Sequence, residues 1–272
     1  MRLSPLKPAS SAKLFVFGAT IGPIVDSFHN QCLLRYDLAP ITVKWPLDGL
    51  SGIFEQEYML CSSWSVPLLL GFAYVVLGDI LPRVFHLLLD STFIRKIATG
   101  SETFPNSSQD PKTLRIKAVA AVLTTIVIIK ASQYLELHEP FSNALASGHS
   151  IPFVETSSQG INYAVLLFAA FVQWYFLDGT IPALLAAGVT SVGGPLSELP
   201  FVANGFWEYV PDAADYFPLA NVPGNIGLLT PLLREDYQQL ALSSITGPCY
   251  WAVTLDAIAL GRWFQSTTRD DE

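Results

Sequence analysis

Long apolar stretches with charged residues only near their ends dominate this chain. A membrane-spanning helix needs about 20 mostly apolar residues, because all of its backbone hydrogen bonds must be made within the segment. Six windows of this kind occur, at residues 13–34, 58–81, 114–135, 161–177, 181–203 and 245–264. The pattern predicts an all-α polytopic membrane protein, folded as a bundle of six transmembrane helices.

The fifth window differs from the others because proline and glycine interrupt it. Pro182, Pro195 and Pro200 all fall within it or at its start. Such residues persist in a bilayer only where neighbouring elements satisfy the freed backbone groups. We therefore expect a kinked helix that packs among the others.

The distribution of Lys and Arg predicts the orientation of the six windows. Basic residues accumulate on the cytoplasmic side of membrane proteins. With six spans, eleven of the Lys and Arg residues fall on the side of the two termini and four on the other side. Both termini are therefore expected in the cytosol, or on the equivalent face of another organelle.

Three segments lie outside or between the windows. Residues 1–12 form an expected cytosolic N-terminal segment, and residues 265–272 form an acidic C-terminal tail. Residues 13–264 contain the transmembrane domain, whose longest connection, 208–240, is acidic and rich in Pro and Gly. Connections of this length are usually functional, and we expect a non-cytosolic lid or interfacial loop.

Composition supports a membrane protein and excludes several other classes. Only 14% of the residues are charged, 51% are hydrophobic, and the formal net charge is −8. A nucleic-acid-binding protein needs a basic surface, and a disordered chain has few aromatic residues; neither description fits. The three cysteines are too far apart for a zinc site or a disulfide framework. No cofactor or metal motif is present, so we expect a non-enzymatic protein with no cofactor.

Several carboxylates lie within or beside the apolar windows. Asp26 and His29 are three residues apart and share one helix face, which suits an acid/base pair, a contact with a lipid headgroup, or a structural or interfacial contact. Asp79 lies near a predicted helix end, where an exposed position is the simpler interpretation. Asp256 is deeper in the last window, where an inward polar contact is the better interpretation.

Asp178 is the most informative of the carboxylates. It closes the fourth window and is followed by a tight turn that contains no Lys or Arg. An Asp at such a position can end one helix and cap the next. Aromatic residues precede it, among them Phe171, Trp174 and Tyr175. Such residues form an interfacial belt or the floor of a flat apolar ligand site.

The second window contains a characteristic spacing of Trp, Val, Pro and Gly, which runs from Trp64 through Val66, Pro67, Gly71 and Gly78 to Pro82. This spacing resembles a signature of the insulin-induced gene (Insig) proteins, which are sterol-dependent membrane regulators. Further similar stretches follow in the same order, listed here from the third window to the last: Ala131-Ser132, Trp174 with Asp178, Asn204-Gly205-Phe206-Trp207-Glu208-Tyr209, Pro248-Cys249 and Gly261-Arg262.

The resemblance implies a helical bundle in the endoplasmic reticulum that binds a sterol or glycerolipid. It also implies docking onto a sterol-sensing membrane protein such as Scap or HMG-CoA reductase. Asn162, Phe171, Trp174 and Tyr175 would then contact the lipid, and Asp178 would be needed for the partner.

Two other hypotheses remain from the sequence. The chain would fit a structural subunit of a larger membrane complex, in a plastid or mitochondrion for example, where low charge and an acidic loop supply contact surfaces. It would also fit a lipid-modifying isomerase or cyclase in which Asp26, His29 or Asp256 moves a proton.

Overall fold

A computed structural model of the chain describes residues 8–90, 110–138, 158–222, 230–233 and 236–267. Residues 1–7 of the expected N-terminal segment and 268–272 of the expected tail lie outside this part.

Helices make up most of the described residues, as the apolar windows predict. In chain order they are α1 (Pro8–Thr20), α2 (Gly22–Leu33), α3 (Asp48–Phe54), α4 (Ser65–Val75), α5 (Leu81–Asp90), α6 (Pro111–His138), α7 (Ser158–Leu177), α8 (Ile181–Ala203), α9 (Thr230–Leu233) and α10 (Thr246–Thr267). A π-helical turn, Val76–Ile80, joins α4 to α5, and a 3₁₀ turn, Tyr237–Gln239, precedes α10. By length and apolar composition, three stretches of the described residues qualify as membrane spans: Pro8–Leu33, Ser65–Leu89 and Gln159–Leu177.

Four short strands correct the all-α prediction. They form two antiparallel pairs, β1 (Leu34–Tyr36) with β4 (Trp207–Tyr209), and β2 (Pro40–Lys44) with β3 (Tyr58–Ser63). The second window was therefore wrong at its start, because its first residues form β3 and the helix begins at Ser65. A short apolar run cannot be assigned to helix or strand from hydropathy alone.

The simple six-helix description is not confirmed in other respects either. The first window is divided between α1 and α2, and the extra helices α3 and α9 lie in connections. The remaining four windows coincide with α6, α7, α8 and α10 to within a few residues at each end.

Helix α10 lies at the centre of the bundle. It contacts α1, α6, α7, α8 and the π-helical turn. The closest of these approaches is between Gly261 of α10 and Gly78 of the π-helical turn. A Cβ added at Gly261 would lie 2.2 Å from the carbonyl oxygen of Gly78. Small residues at such crossings allow helix backbones to meet in lipid, where close packing drives association.

Helix α8 accommodates its internal prolines through the same neighbour. Pro195 has no N–H to donate to the oxygen of Ser191, so that carbonyl is freed from the helix ladder. The oxygen faces Gly247 of α10, where an added Cβ would meet it at 2.8 Å. The expectation that α8 packs against a neighbour at its prolines therefore agrees with these contacts.

The described part of 208–240 packs onto one end of the bundle, which we call the sheet end. It begins with β4, and Tyr216 and Leu242 then exchange backbone hydrogen bonds of 3.0 and 2.8 Å. Side chains from this segment, including Leu233 and Tyr237, belong to the main hydrophobic core together with Leu33 of α2. Burial of apolar surface thus holds the segment against the bundle.

Candidate functional site

Three of the residues predicted to contact lipid form an aromatic patch (Phe171, Trp174 and Tyr175) near the end of α7. Phe171 is 43% exposed and Tyr175 is 64% exposed, and the rings of Phe171 and Trp174 lie 5.0 Å apart. Trp174 is half-buried against the core of α8 and α10, and its indole N–H donates to the oxygen of Thr180 at 2.9 Å. The patch therefore offers an apolar surface, and its only side-chain N–H, that of Trp174, already has an acceptor.

Asn162, the fourth predicted lipid contact, lies at the opposite end of α7. Twelve residues separate it from Trp174, which corresponds to about 18 Å along a helix. Its side chain is 2% exposed, and Nδ2 donates to the oxygen of Leu135 at 3.2 Å. The structure therefore does not bring Asn162 and the aromatic patch together.

Asp178 lies just beyond the aromatic patch and has a cationic partner that was not predicted. Its carboxylate forms a salt bridge with Arg262 of α10 and accepts the backbone N–H of Thr180 at 3.0 Å. The interpretation that Asp178 caps α8 is incorrect, because the N-cap residue is Thr180, whose Oγ1 accepts from the N–H of Ala183. Asp178 instead ties the α7–α8 turn to α10.

Asp79 is buried, contrary to the exposed helix end expected from the sequence. Its side chain accepts hydrogen bonds from Ser11 of α1 at 2.8 Å, from Arg83 at 2.6 Å and from Gln265 of α10 at 2.9 Å. The π-helical turn that contains Asp79 thus connects three helices. We call this level, with Asp178 and Asp79, the Asp178 end of the bundle.

Asp26 and His29 share an inward face of α2, but they do not bond to each other. The Nδ1 of His29 lies 2.6 Å from the hydroxyl of Ser132 on α6, and Asp26 accepts from Asn30 at 2.5 Å. Asn30 also donates to the hydroxyl of Tyr36 at 2.8 Å. No group of three or more metal-binding side chains is present in the described residues. Asp26 and His29 therefore take part in separate hydrogen bonds and not in one acid/base pair.

A further carboxylate, Glu198 of α8, was missed by the sequence reasoning. It accepts hydrogen bonds from Tyr250 at 2.8 Å, from Tyr209 at 2.7 Å and from the indole of Trp207 at 3.4 Å. Burial, and next the charge of Glu198, raise the pKa of Tyr209 well above its usual value, so this hydroxyl remains a donor. The sequence did contain a signal, because Glu198 is the single acidic residue inside the apolar window 181–203. Ionisable residues within membrane spans usually have a function.

Asp256 of α10 is 2% exposed, in agreement with the expected inward contact. The hydroxyl of Tyr74 donates to one of its oxygens at 3.4 Å, and the other oxygen has no hydrogen-bond partner among the described residues. The carboxylates described here thus divide into two groups. Asp178 and Asp79 lie at the Asp178 end and have cationic partners, whereas Asp26, Glu198 and Asp256 lie in the interior and have none among the described residues.

Comparisons with known proteins identify the fold. No family model and no curated protein matches the chain. Two solved structures do match, and both are of MvINS, a mycobacterial Insig homologue from Mycobacterium vanbaalenii. One has 17% identity, covers 95% of each chain and has a TM-score of 0.56. The other, a cross-linked trimer of a cysteine variant, has 18% identity, covers 97% of each chain and has a TM-score of 0.57.

The likeness confirms, at the level of the fold, the resemblance drawn from the sequence. It extends over nearly the whole length of both chains rather than over one helix pair. Together with the three apolar spans, it identifies the chain as a mostly helical integral membrane protein with an Insig-like fold.

Proposed function

We propose that this chain is a divergent Insig-type regulator, a non-enzymatic membrane protein that binds a sterol or another apolar lipid and docks onto a second membrane protein. The observation that carries the proposal is the full-length agreement of its fold with a mycobacterial Insig homologue. The topology proposed with it has six crossings and cytosolic termini, and the proposed location is the endoplasmic reticulum.

The aromatic patch supports the lipid-binding half of this proposal. Phe171 and Tyr175 present exposed rings one turn apart, and Trp174 fills the surface between them and α8. A flat hydrocarbon skeleton gains about 25 cal/mol for each Å² of apolar surface that it buries against such walls. A ligand that touches both the patch and Asn162 would have to span about 18 Å, the length of twelve helical residues.

The Asp178 end supports the docking half. Asp178 is 8% exposed and its charge is already neutralised by Arg262. We therefore propose that Asp178 acts on a partner by holding the α7–α8 turn in the shape that the partner recognises. Unpaired carboxylates at a lipid-facing interface would be costly, whereas a turn fixed by an internal salt bridge presents a defined surface.

Thermal unfolding of the purified protein in detergent, with and without added sterol or diacylglycerol, tests the lipid half. A ligand that binds only the folded state raises the unfolding temperature in proportion to its concentration. Phe171→Ala and Trp174→Ala should reduce the rise. Phe72→Ala is the matched control, because Phe72 is an exposed ring on α4, away from the patch. A protein that neither class of lipid stabilises would disprove the lipid half.

Co-purification from gently solubilised membranes tests the docking half. Asp178→Ala should leave a folded protein that no longer retains its membrane partner. Retention of the same partner by the folded variant would disprove this part of the proposal.

A further inference from the structure

An interior group of polar side chains lies at the sheet end, and the hydrogen bonds within it do not join one helix to another. It comprises Asp26 and Asn30 of α2, Tyr36 of β1 and Ser62 of β3. Asp26 keeps accessible surface, whereas the next four residues of α2 are all buried. A small polar group of a ligand can therefore reach the carboxylate of Asp26.

The hydrogen bonds within the group leave some of its atoms available. Asn30 uses its two side-chain N–H bonds on one oxygen of Asp26 and on the hydroxyl oxygen of Tyr36. The second oxygen of Asp26 has no donor among the described side chains. The Tyr36 oxygen accepts from Asn30, so its own hydrogen remains available for donation.

Ser62 supplies an independent sign that something is missing from the group. Its side chain is 1% exposed, and its Oγ adjoins the Tyr36 hydroxyl. This Oγ has no hydrogen-bond partner of adequate geometry within the described part of the chain. A buried hydroxyl without a partner is costly, and nearly all such groups in folded proteins find one.

The charges around the group restrict what can complete it. The ring of Tyr36 contacts the ring of Trp207 at 6.3 Å, and the indole of Trp207 donates to Glu198. Asp26 and Glu198 are also within electrostatic reach of each other, and no described cationic side chain acts on either carboxylate. An anionic group would therefore find no cationic side chain here to compensate for the loss of its hydration.

We propose that this group binds the uncharged alcohol of the lipid, an inference that rests on the proposed lipid-binding function. The group lacks a donor for Asp26 and an acceptor for Ser62 or Tyr36, and one hydroxyl supplies both. It donates its hydrogen to the second oxygen of Asp26 and accepts from Ser62 or Tyr36. An ether can only accept a hydrogen bond, and an anionic sulfate or phosphate finds no cationic partner in this group. Residues of α2, β1 and β3 therefore bind the polar end of the ligand, and Asn162 is not required for this binding.

Competition binding to the purified full-length protein in detergent tests this assignment. The wild-type protein is titrated with a free sterol, its methyl ether and its sulfate ester, each competing with the radiolabelled sterol. A second arm uses diacylglycerol, its methyl ether and phosphatidic acid in the same way, which distinguishes the two lipid sources. The alcohol should bind about tenfold more tightly than the ether, the effect of one or two hydrogen bonds, and the charged analogue should bind weakest.

Tyr36→Phe and Ser62→Ala should bring the affinity for the alcohol down to that for the ether. Tyr74→Phe is the matched control, since it removes a buried hydroxyl outside the group and should leave the ratio unchanged. Equal binding of alcohol and ether by the wild-type protein, or binding of the sulfate, overturns this inference and leaves lipid binding intact. Failure of every compound to bind overturns the proposed lipid-binding function itself, and this inference with it.

Discussion

Replacing Arg262 by Gln removes the cation that faces Asp178 and changes little else at the Asp178 end. The side chain of Asp178 is 8% exposed and that of Arg262 is 30% exposed. Exposed ion pairs contribute about 0–1 kcal/mol, whereas the loss of one partner from a buried pair costs about 3–5 kcal/mol. Since this pair lies between the two cases, we expect a loss of about 2 kcal/mol. For a chain of this length, that corresponds to a fall of roughly 4–8 °C in Tm.

Asp178→Asn is the matched change on the other side of the pair, because the amide oxygen still accepts from the N–H of Thr180. Each single variant and the double variant should be compared by thermal unfolding in the same detergent. If the two residues act together, the double variant loses about as much stability as either single variant, with a coupling free energy of about 2 kcal/mol. Additive losses in the double variant would refute the assigned pair.

The same variants separate two ways in which Asp178 could serve a membrane partner. If Asp178 acts by fixing the α7–α8 turn, Arg262→Gln should reduce co-purification of the partner as much as Asp178→Asn does. The exchanged pair, Asp178→Arg with Arg262→Asp, should then restore part of the binding. A partner retained fully by the folded Arg262→Gln protein would instead indicate direct contact with Asp178.

Three further changes test the packing by thermal unfolding in detergent, and the last is also tested by limited proteolysis. Gly261→Ala places a Cβ 2.2 Å from the opposing backbone oxygen and should cost about 1–3 kcal/mol, whereas Gly193→Ala, with nothing within 4 Å, should gain about 0.5–1 kcal/mol. Equal effects of the two changes would contradict the close helix crossing. Asp79→Ala removes the acceptor of three hydrogen bonds and should cost about 3–5 kcal/mol, so a neutral result would exclude its role in joining helices. Tyr209→Phe removes the hydrogen bond to Glu198 and should cost about 1–3 kcal/mol and expose the segment after β4 to protease, unlike Tyr175→Phe at an exposed position. Identical digestion of the two variants would show that this hydrogen bond does not help to hold the segment.

The helices of this fold were largely predictable from hydropathy, because a long apolar run has few alternatives to a helix in lipid. The window 181–203 coincides with α8, including its prolines. The strand β3 was not predictable, because Tyr58–Ser63 contains no charged residue and continues directly into the apolar helix that follows it. Only its pairing with β2 and its contacts with α2 distinguish it, and those depend on the folded structure.

The candidate site was predictable only in part, for a similar reason. Chain position identified Asp178 as important, but its partner, Arg262, lies 84 residues further along the chain. The residues next to Asp178 in the sequence do not indicate a partner that is so distant along the chain. The lipid-contact residues were all assigned to one helix, whereas the free hydrogen-bonding atoms toward the sheet end come from Asp26, Tyr36 and Ser62. The sequence shows which residues are costly to place in a bilayer, but it does not show which of these residues contact each other.

The π-helical turn at Val76–Ile80 affects how this chain can be compared with others that share its fold. Such a turn holds one residue more than the α-helical turn it replaces. A homologue with a regular helix at this place would be one residue shorter, and every position beyond it would shift by one in a gapless alignment. Asp79 would then be matched with a residue that points about 100° away around the helix axis. Correspondences drawn through this stretch should therefore be made from superposed backbones rather than from residue counts.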